Sequence, residues 1–590
     1  MREAVRRHRF AFALIALLVG VLFLPPLLKR EVFTARDHTD YFQPLRFYTA
    51  VHIASFNLPY WNPYSASGEP WLANPQTGVF YPPTWLFMFL PFETAYMLYL
   101  ALHLVVLGWG AYLLFTRSVT PGAAAVGAVA ITFAGPVLSL IDVQNNLATF
   151  AWIPWVLWTR SARLAGILLA LAFLGGEPFF AAAGAALYAI VRAVEGPMRP
   201  ALRDVAIAAL VAIGLSSIQL LPFLELLRGS DRAAGLPSEQ IFRESMHPKD
   251  WLRVAVPPEL SATGFDAALS QHFIPIVYVG MATALLAMLA WLFVRRRAVA
   301  GWSLLLATSA VVAAGSYLPT GRLFELLPLT LFRYPSRVVP FGALALAGLA
   351  VLAWDRFRPK HRWADLLLIA ILLVDLVPRA APILRTAPYG EAPLIYPEEV
   401  GRRAKMMRIH QAPLIDRAAW IAGYRNLYHR RFDAWTAAPV IDGRYEHLHA
   451  IAVDQRRFDL FQFLGIGFVL SDRSVAEPFV RAGHYGNVTV YRNAVVPPMA
   501  MLWPSWRAVE SDDQALRAVI DAGMGGGLPV AGAPAPAGDS SAMQILPVET
   551  VSVGTGHARV VVNAPVASVL MITQQDAAGW DVYVDGEKKK

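Results

Sequence analysis

Long apolar stretches recur along residues 1–378, and each is bounded by polar or basic residues. About 20 apolar residues are needed for a helix to cross the hydrocarbon core of a membrane, so these stretches predict membrane-spanning helices. The stretches that predict one span each are Phe10–Leu28, Thr94–Thr116, Ser118–Ile141, Val143–Thr159, Val205–Leu224, Phe273–Val294, Ala298–Gly321 and Val338–Trp354.

Two further stretches contain charged residues. Arg160–Arg192 carries Gly175-Gly176-Glu177-Pro178 at its centre, and since glycine and proline interrupt helices, it predicts two short helices that meet at the outer face. Trp363–Pro378 is short and contains Asp375, and it predicts one more span. The pattern therefore predicts a polytopic α-helical membrane protein with about 11 transmembrane helices.

Lysine and arginine residues indicate the orientation of these spans. With the N-terminus inside, the inner loops contain 17 of them and the short outer loops contain three. Basic loops remain on the cytoplasmic side, so the N-terminus is predicted to be cytoplasmic and everything after Pro378 extracytoplasmic. The first span follows a basic segment, as a signal peptide does, but its length and its lack of a small-residue cleavage site favour a retained anchor.

Two long outer loops, residues 29–93 and 225–272, lie within the predicted transmembrane domain, residues 1–378. The first loop is rich in aromatic residues, proline and asparagine. Because tryptophan and tyrosine favour the headgroup region, this loop predicts short helices that lie on the membrane surface.

The C-terminal region divides into three parts by composition. Residues 379–522 mix helical and strand patterns and predict an α/β domain. Residues 523–541 are rich in glycine, alanine and proline and predict a flexible linker. Residues 542–590 predict a β-rich tail, in which Asp585-Gly586 is a turn signal. The hairpin that this turn opens stops at Lys590, so we expect the tail to be truncated.

Composition agrees with a membrane protein and limits the chemistry. Hydrophobic residues make up 56% of the chain and charged residues only 16%, below the quarter that is typical of soluble domains. The net charge of +9 comes from basic residues at the ends of apolar stretches, which is not the pattern of a nucleic-acid-binding surface. There is no cysteine, which excludes disulfides, zinc-thiolate sites and thiol nucleophiles.

Two aspartates, Asp37 and Asp40, follow the first span on the predicted outer side. Carboxylates at a membrane surface can act as a general base or hold a divalent metal ion beside a phosphate. The alternative is that they are solvated residues of an outer loop. Spacing alone favours this alternative.

Two arginines, Arg333 and Arg337, flank Tyr334-Pro335-Ser336 in another predicted outer loop. Guanidinium groups bind phosphates through paired hydrogen bonds, so this turn predicts a binding site for a lipid phosphate. Anchoring of helix ends to lipid headgroups explains the same pattern equally well.

One acidic residue, Glu177, interrupts an otherwise apolar stretch. A carboxylate at the centre of a bilayer costs about 2.5–3.5 kcal/mol on insertion scales. Glu177 is therefore expected at the outer end of its helix, beside a cavity, or paired with a cation. Residues 142–146 could line the same cavity, although a plain polar loop explains them equally well.

The order of these features resembles the bacterial YfhO-like membrane proteins, which belong to the GT-C class of polyprenyl-phosphate-dependent glycosyltransferases. The matching stretches are Asp40-Tyr41-Phe42-Gln43-Pro44, Trp61-Asn62-Pro63, Gly68-Glu69-Pro70, Phe80-Tyr81-Pro82-Pro83, Trp152-Ile153-Pro154, Gly176-Glu177-Pro178, Gln219-Leu220-Leu221-Pro222, Phe332-Arg333-Tyr334-Pro335-Ser336-Arg337, Phe463-Leu464-Gly465-Ile466 and Gly579-Trp580. The resemblance covers nearly the whole chain, and it implies a GT-C-like fold in the bacterial cytoplasmic membrane.

The resemblance also implies an activity, which is transfer of a sugar from a polyprenyl phosphate to a cell-envelope polymer or glycolipid on the outer face. GT-C enzymes use an aspartate of the first outer loop as base or metal ligand. Here that residue is Asp40, with Asp37 as the other candidate, and Mg²⁺ or Mn²⁺ as the candidate metal. The implied substrate-binding residues are Arg333, Arg337, Glu177, Gln43, Asn74 and Tyr81.

Two other classes of protein remain open. A transporter or flippase would move a lipid-linked saccharide without making a bond, and such proteins are expected to show repeated halves, which this sequence lacks. A non-catalytic envelope assembly factor would not need Asp40 or a lipid phosphate.

Overall fold

The computed structural model describes residues 2–66, 68–257, 271–294, 297–319, 321, 329–359, 361, 363–390, 408–411, 443–471, 474–485, 488–494, 499–522, 528–532, 546–573 and 580–589. The chain forms two compact units. The first contains Met1–Phe42, Pro75–Leu221 and Arg232–Gly390, and the second contains Gln43–Asn74, Pro222–Asp231 and Glu391–Lys590. The predicted outer loop 29–93 is therefore divided between the two units.

Most of the helices belong to the first unit. In chain order they are α1 (Arg2–Lys29), α3 (Phe92–Phe115), α4 (Pro121–Thr132), α5 (Gly135–Leu138), α6 (Gln144–Phe150), α7 (Ile153–Trp158), α8 (Ala162–Leu174), α9 (Pro178–Glu195), α10 (Met198–Arg228), α11 (Ser238–Ile241), α12 (Met281–Phe293), α13 (Arg297–Ala314), α14 (Val339–Phe357) and α15 (Trp363–Leu376). Helix α2 (Gln43–Ala54) and the part of α10 from Pro222 onward belong to the second unit. Strands β1 (Glu31–Phe33) and β2 (Thr386–Pro388) pair antiparallel in the first unit.

Six helices among the described residues are long and apolar enough to cross a membrane, and a seventh span results if α4 and Gly135–Ile141, which are bent by 50°, count as one. The chain is thus a polytopic membrane protein. The total of about 11 spans stays a prediction. Helices α8 and α9 meet at Gly175-Gly176-Glu177, which confirms the predicted break.

The predicted span over Val143–Thr159 is not one continuous helix, because this segment is divided into α6 and α7. Pro154 lies in the first turn of α7. Proline has no backbone N–H to donate to the preceding turn and is best tolerated in the first turn of a helix, so Pro154 favours the start of a new helix here.

Small residues allow the central helices to pack closely. Nearly every residue of α14 is buried. At Gly348, a Cβ atom would lie 2.4 Å from the ring of Trp302 on α13. Close approach through small residues is characteristic of helices packed within a membrane.

The second unit contains a four-stranded sheet in the order β3–β4–β6–β5, made of β3 (Arg408–Gln411), β4 (Ile466–Ser471), β5 (Phe479–Tyr485) and β6 (Val488–Asn493). Strand β3 runs parallel to β4, and the other pairs are antiparallel. Every residue of β4 is buried. Together with α16 (Gly443–Asp454) and α17 (Asp512–Ala522), this sheet agrees with the predicted α/β character.

Strands also lie beyond the four-stranded sheet. They are β7 (Ala500–Trp503), β8 (Trp506–Val509), β9 (Leu528–Ala531), β10 (Leu546–Pro547), β11 (Glu549–Val553), β12 (Ala558–Val561), β13 (Val569–Ile572), β14 (Val582–Val584) and β15 (Glu587–Lys589).

One expectation for this part of the chain needs correction. Strand β9, which pairs parallel with β8, falls inside the predicted linker because Leu528 packs into an apolar core. The rest of that linker lies outside the described residues.

The predicted turn at Asp585-Gly586 is confirmed. Asp585 and Gly586, at φ 52° and 85°, turn the chain back so that β15 pairs antiparallel with β14.

Candidate functional site

The segment after α1 carries the predicted aspartates and turns sharply. Arg36 has a left-handed backbone conformation (φ 50°), and a π-helical turn follows at His38–Phe42. Arg36 Nη1 donates to Asp142 Oδ2 at 3.3 Å, and His38 Nε2 lies 3.5 Å from Asp142 Oδ1. His38 and Asp142 are both fully buried. Residues 36–40 and Asp142 are called the acidic cluster below.

Asp37 and Asp40 both lie in the acidic cluster. Asp37 is an exposed residue, but partial burial of its carboxyl still raises its pKa above the ordinary value. The Arg36 guanidinium opposes this rise in the pKa of Asp37, whereas Asp142 and Asp40 reinforce it. Asp40 is half-buried. A carboxylate with a raised pKa is a better proton acceptor near neutral pH than an ordinary aspartate.

The metal site at Asp37 and Asp40 stays a prediction. Among the described residues, no group of three or more histidine, aspartate or glutamate side chains is arranged to hold a metal ion. Because Mg²⁺ is commonly held by one or two carboxylates together with water and substrate phosphate oxygens, Asp37 and Asp40 would be the protein ligands of such an ion.

The second part of the site is built around Glu177 at the start of α9. Its carboxylate is held from two sides, by Arg337 Nη1 at 2.9 Å from Oε1 and by Asn145 Nδ2 at 3.4 Å from Oε2. Glu177 and Arg337 are 6% and 8% exposed. Of the three situations expected for Glu177, pairing with a cation is therefore observed.

The backbone before Glu177 requires glycine. Gly176 has φ 103°, and a Cβ atom there would lie 2.9 Å from the carbonyl oxygen of Pro75. The Glu177 amide donates to Thr149 Oγ1 at 3.1 Å. These contacts fix the position of the carboxylate before any ligand arrives.

Arg333 and Arg337 lie on either side of a turn that begins at Tyr334 (φ 67°). The Arg337 guanidinium lies 5.4–5.8 Å from the rings of Phe179, Phe273 and Tyr334. A small cavity of about 10 Å³, room for about one water molecule, lies beside this turn, and it is lined by Phe179, Ile241, Val312, Phe332, Arg333, Tyr334, Pro335 and Arg337. The two arginines, Glu177 and Arg232 are called the arginine cluster below.

Arg232 was missed by the sequence analysis. It donates from Nη1 to the carbonyl of Leu331 at 3.3 Å. Burial, with the positive charges of Arg333 and Arg337, lowers the pKa of Arg232 to about 10, and the charge of Glu177 opposes this. Arg232 lies in the predicted outer loop 225–272, and nothing in the local sequence distinguishes it from other basic residues of loops.

The acidic cluster and the arginine cluster share neighbours within the first unit. Arg36 Nη1 lies 3.5 Å from the carbonyl oxygen of Phe273, and the ring of Phe273 contacts Arg337. Asp142 and Asn145, three positions apart, contact Arg36 and Glu177 respectively. The acidic cluster and the arginine cluster are thus held by the same short segments.

One of the two expectations for residues 142–146, that they form a plain polar loop, is wrong. Asp142, Gln144, Asn145 and Asn146 are all at most 3% exposed. Within the part of the chain that the structure describes, neither polar atom of the Gln144 side chain has a hydrogen-bond partner. The run of four polar residues between apolar stretches was the available signal for this buried position.

Three other predicted substrate-binding residues are Tyr81, in the first unit, and Gln43 and Asn74. The Tyr81 hydroxyl contacts His103 Nε2 at 2.7 Å and accepts from Trp152 Nε1 at 2.8 Å, which favours a role in packing. Gln43 and Asn74 belong to the second unit, where both are buried.

The fold is similar to that of the arabinofuranosyltransferase AftD from Mycobacteria, determined by single-particle cryo-electron microscopy. The TM-score is 0.50 at 16% sequence identity, over 87% of this chain. A mutant of AftD gives a TM-score of 0.47 at 16% identity, over 79% of this chain and 41% of that one. No family model and no curated protein matches this sequence.

The chain spans 42% of the length of AftD. At this identity the likeness concerns the fold alone, and it supports the GT-C class of fold without identifying the YfhO-like family.

Proposed function

We propose that the protein is a GT-C glycosyltransferase, related to the YfhO-like proteins, that moves a sugar from a polyprenyl-phosphate donor to a cell-envelope polymer or glycolipid. The observation that carries this proposal is the arginine cluster beside the acidic cluster, in a fold similar to that of an arabinofuranosyltransferase. The site would lie on the outer face of the bacterial cytoplasmic membrane.

The arginine cluster supplies the binding site for the donor phosphate. Among the described residues, the charges of Arg333, Arg337 and Glu177 act on Arg232, and positive charge close to Arg333 and Arg337 favours an anion. The aromatic and aliphatic side chains beside Arg333 and Arg337 are chemically compatible with an isoprenoid chain. Arg333 and Arg337 bind the phosphate oxygens, and Glu177 orients Arg337.

The acidic cluster supplies the proton acceptor. Asp37 or Asp40 takes the proton of the acceptor hydroxyl as that oxygen attacks the anomeric carbon, with inversion of configuration. Asp37 is the better candidate because its pKa is raised, and Asp40 is the residue that the family resemblance favours. Asp142 positions Arg36 beside them.

A transfer assay tests the proposal. Purified protein is incubated with a panel of polyprenyl-phosphate sugars and envelope acceptors, and the glycosylated product is separated from the donor. We expect one donor to give product. In proteoliposomes, movement of an intact lipid-linked saccharide without product would instead show a transporter, and neither product nor movement would be expected of an assembly factor.

A further inference from the structure

Three residues with strained backbones contact the segment that contains Phe273. Arg36, Glu244 and Tyr334 have φ angles of 50°, 65° and 67°, which are left-handed values that residues other than glycine disfavour. Arg36 Nη1 lies 3.5 Å from the carbonyl oxygen of Phe273, and the centre of the Tyr334 ring lies 5.5 Å from that of the Phe273 ring. The Glu244 carboxylate accepts a hydrogen bond from the backbone amide of His272. Such strain persists where the surrounding structure holds a group in a required position, and here it surrounds Phe273.

Glu244 also joins this segment to the turn at Tyr334. Its carbonyl oxygen accepts a hydrogen bond from the amide of Ser336 over 3.3 Å. Tyr334 comes directly before Pro335, and a residue before proline favours an extended backbone with a negative φ. The conformation of Tyr334 is therefore disfavoured for two reasons. It places the Tyr334 ring against the ring of Phe273.

Phe273 lies between the two halves of the proposed active site. Its carbonyl oxygen contacts Arg36 of the acidic cluster, and the centre of its ring lies 5.4 Å from the guanidinium carbon of Arg337 in the arginine cluster. During transfer, the anomeric carbon is bonded to a phosphate oxygen on one side while the acceptor oxygen approaches from the other. The sugar must then lie between the phosphate-binding arginines and the base. Phe273 is half-buried, so a ligand can reach it.

We propose that the ring of Phe273 is the surface on which the transferred sugar packs, and that Tyr334 is a positioning residue that holds this ring. This inference rests on the proposed function. One face of a sugar ring presents C–H groups, which pack on an aromatic ring, while the hydroxyl groups of the sugar remain free for hydrogen bonds. Phe273 thus contributes to recognition of the sugar, whereas Arg333 and Arg337 contribute to recognition of the phosphate.

A comparison of lipids that differ only in the sugar tests this inference. The ligands are phosphodiesters that join geranylgeraniol to methanol, glucose, galactose, mannose, N-acetylglucosamine or arabinofuranose, so every ligand carries one negative charge. Their affinities for the full-length protein in detergent are measured by displacement of a fluorescent lipid phosphate. We expect at least one sugar diester to bind roughly tenfold more tightly than the methyl diester, because only the sugar diesters can pack on the Phe273 ring.

Variants of the two aromatic residues identify the source of this preference for the sugar. Phe273→Leu should remove the preference and leave the affinity for the methyl diester unchanged, because the arginines are intact. Phe273→Tyr keeps an aromatic ring and should keep the preference. Tyr334→Leu should lower the preference severalfold and Tyr334→Phe should retain it, a pattern that a general loss of stability does not produce.

Phe293→Leu is the matched control, because Phe293 is exposed on α12 and packs on Phe357, so its loss should leave the preference unchanged. Equal binding of the methyl and sugar diesters by the wild type, or an undiminished preference in Phe273→Leu, would overturn the inference. If Phe273→Leu does not fold, an undiminished preference in Tyr334→Leu would overturn it as well.

The outcomes for this inference and for the proposed function can be told apart. Transfer by the wild type together with an undiminished preference in Phe273→Leu would refute only this inference. A preference that is lost in Phe273→Leu, without transfer from any donor, would refute the proposed function and leave a protein that binds lipid-linked sugars.

Discussion

Arg337 donates a hydrogen bond from Nη1 to Oε1 of Glu177 over 2.9 Å, although 160 positions separate the two residues in the chain. The pair joins the start of α9 to the turn before α14. Both side chains are almost fully buried. Loss of either residue would therefore leave the other as a buried charge without its partner, which is energetically costly.

Loss of one member of this pair should destabilise the protein. Arg337→Ala leaves a buried carboxylate without its cation, and we expect the free energy of unfolding to fall by about 3–5 kcal/mol. The measurement is thermal unfolding in detergent. Arg333→Ala is the control, because half-buried Arg333 has no ion pair among the described residues and its loss should change stability by less than about 1 kcal/mol. Equal melting temperatures for the wild type and Arg337→Ala would contradict this expectation.

Arg333 can be used to test phosphate binding without the loss of stability expected at Arg337. A charge-assisted hydrogen bond contributes about 1.5–3 kcal/mol, so Arg333→Ala should weaken binding of a lipid phosphate by roughly 10- to 150-fold. Arg333→Lys should recover only part of this, since the planar fork is lost. Affinity for the lipid phosphate is measured by titration. An unchanged affinity in Arg333→Ala would contradict phosphate binding by Arg333 and favour the alternative, that Arg333 anchors a helix end to lipid headgroups.

The pH dependence of the transfer rate should reflect the protonation of the catalytic base in the acidic cluster. If Asp37 is the base, activity is lost as pH falls through its pKa, which lies above the ordinary aspartate value. Arg36 lowers this pKa and Asp142 raises it, so Arg36→Gln should move the acid limb of kcat/KM to higher pH and Asp142→Asn to lower pH. Shifts in the same direction in both variants would exclude Asp37 as the titrating base.

Local patterns predicted local features well. Glycine and proline at positions 175–178 predicted the break between α8 and α9, and Asp585-Gly586 predicted a turn. These signals lie within a few residues of what they determine. The same was not true of β9, where burial of Leu528 outweighs a composition that is typical of linkers.

The partners in the site could not be read from the sequence. Glu177 predicted a cation, but nothing in the chain indicated which arginine would reach it. Asp142 and Arg232 acquire their roles from segments about a hundred residues away, Arg36 and Leu331 respectively. Such contacts depend on how helices pack, and side-chain periodicity does not specify the packing.

Topology can be tested with single cysteines, because the chain has none of its own. We expect Ala54→Cys and Ala508→Cys to react with an impermeant maleimide in intact cells, and Ala300→Cys to react only after the cells are opened. All three positions are exposed in the structure, so burial does not explain a lack of labelling. Protection of both outer positions in intact cells would contradict the predicted orientation.

The most direct test of the proposed chemistry is the rate at which label moves from a polyprenyl-phosphate sugar to the acceptor in wild type, Asp37→Asn and Asp40→Asn. Asparagine keeps the shape of aspartate and removes its charge, so folding should be preserved. A general base contributes about 10²–10⁴-fold, so loss of the true base should slow transfer at least a hundredfold. We predict this loss in at least one of the two variants. Wild-type rates in both would contradict the glycosyltransferase mechanism.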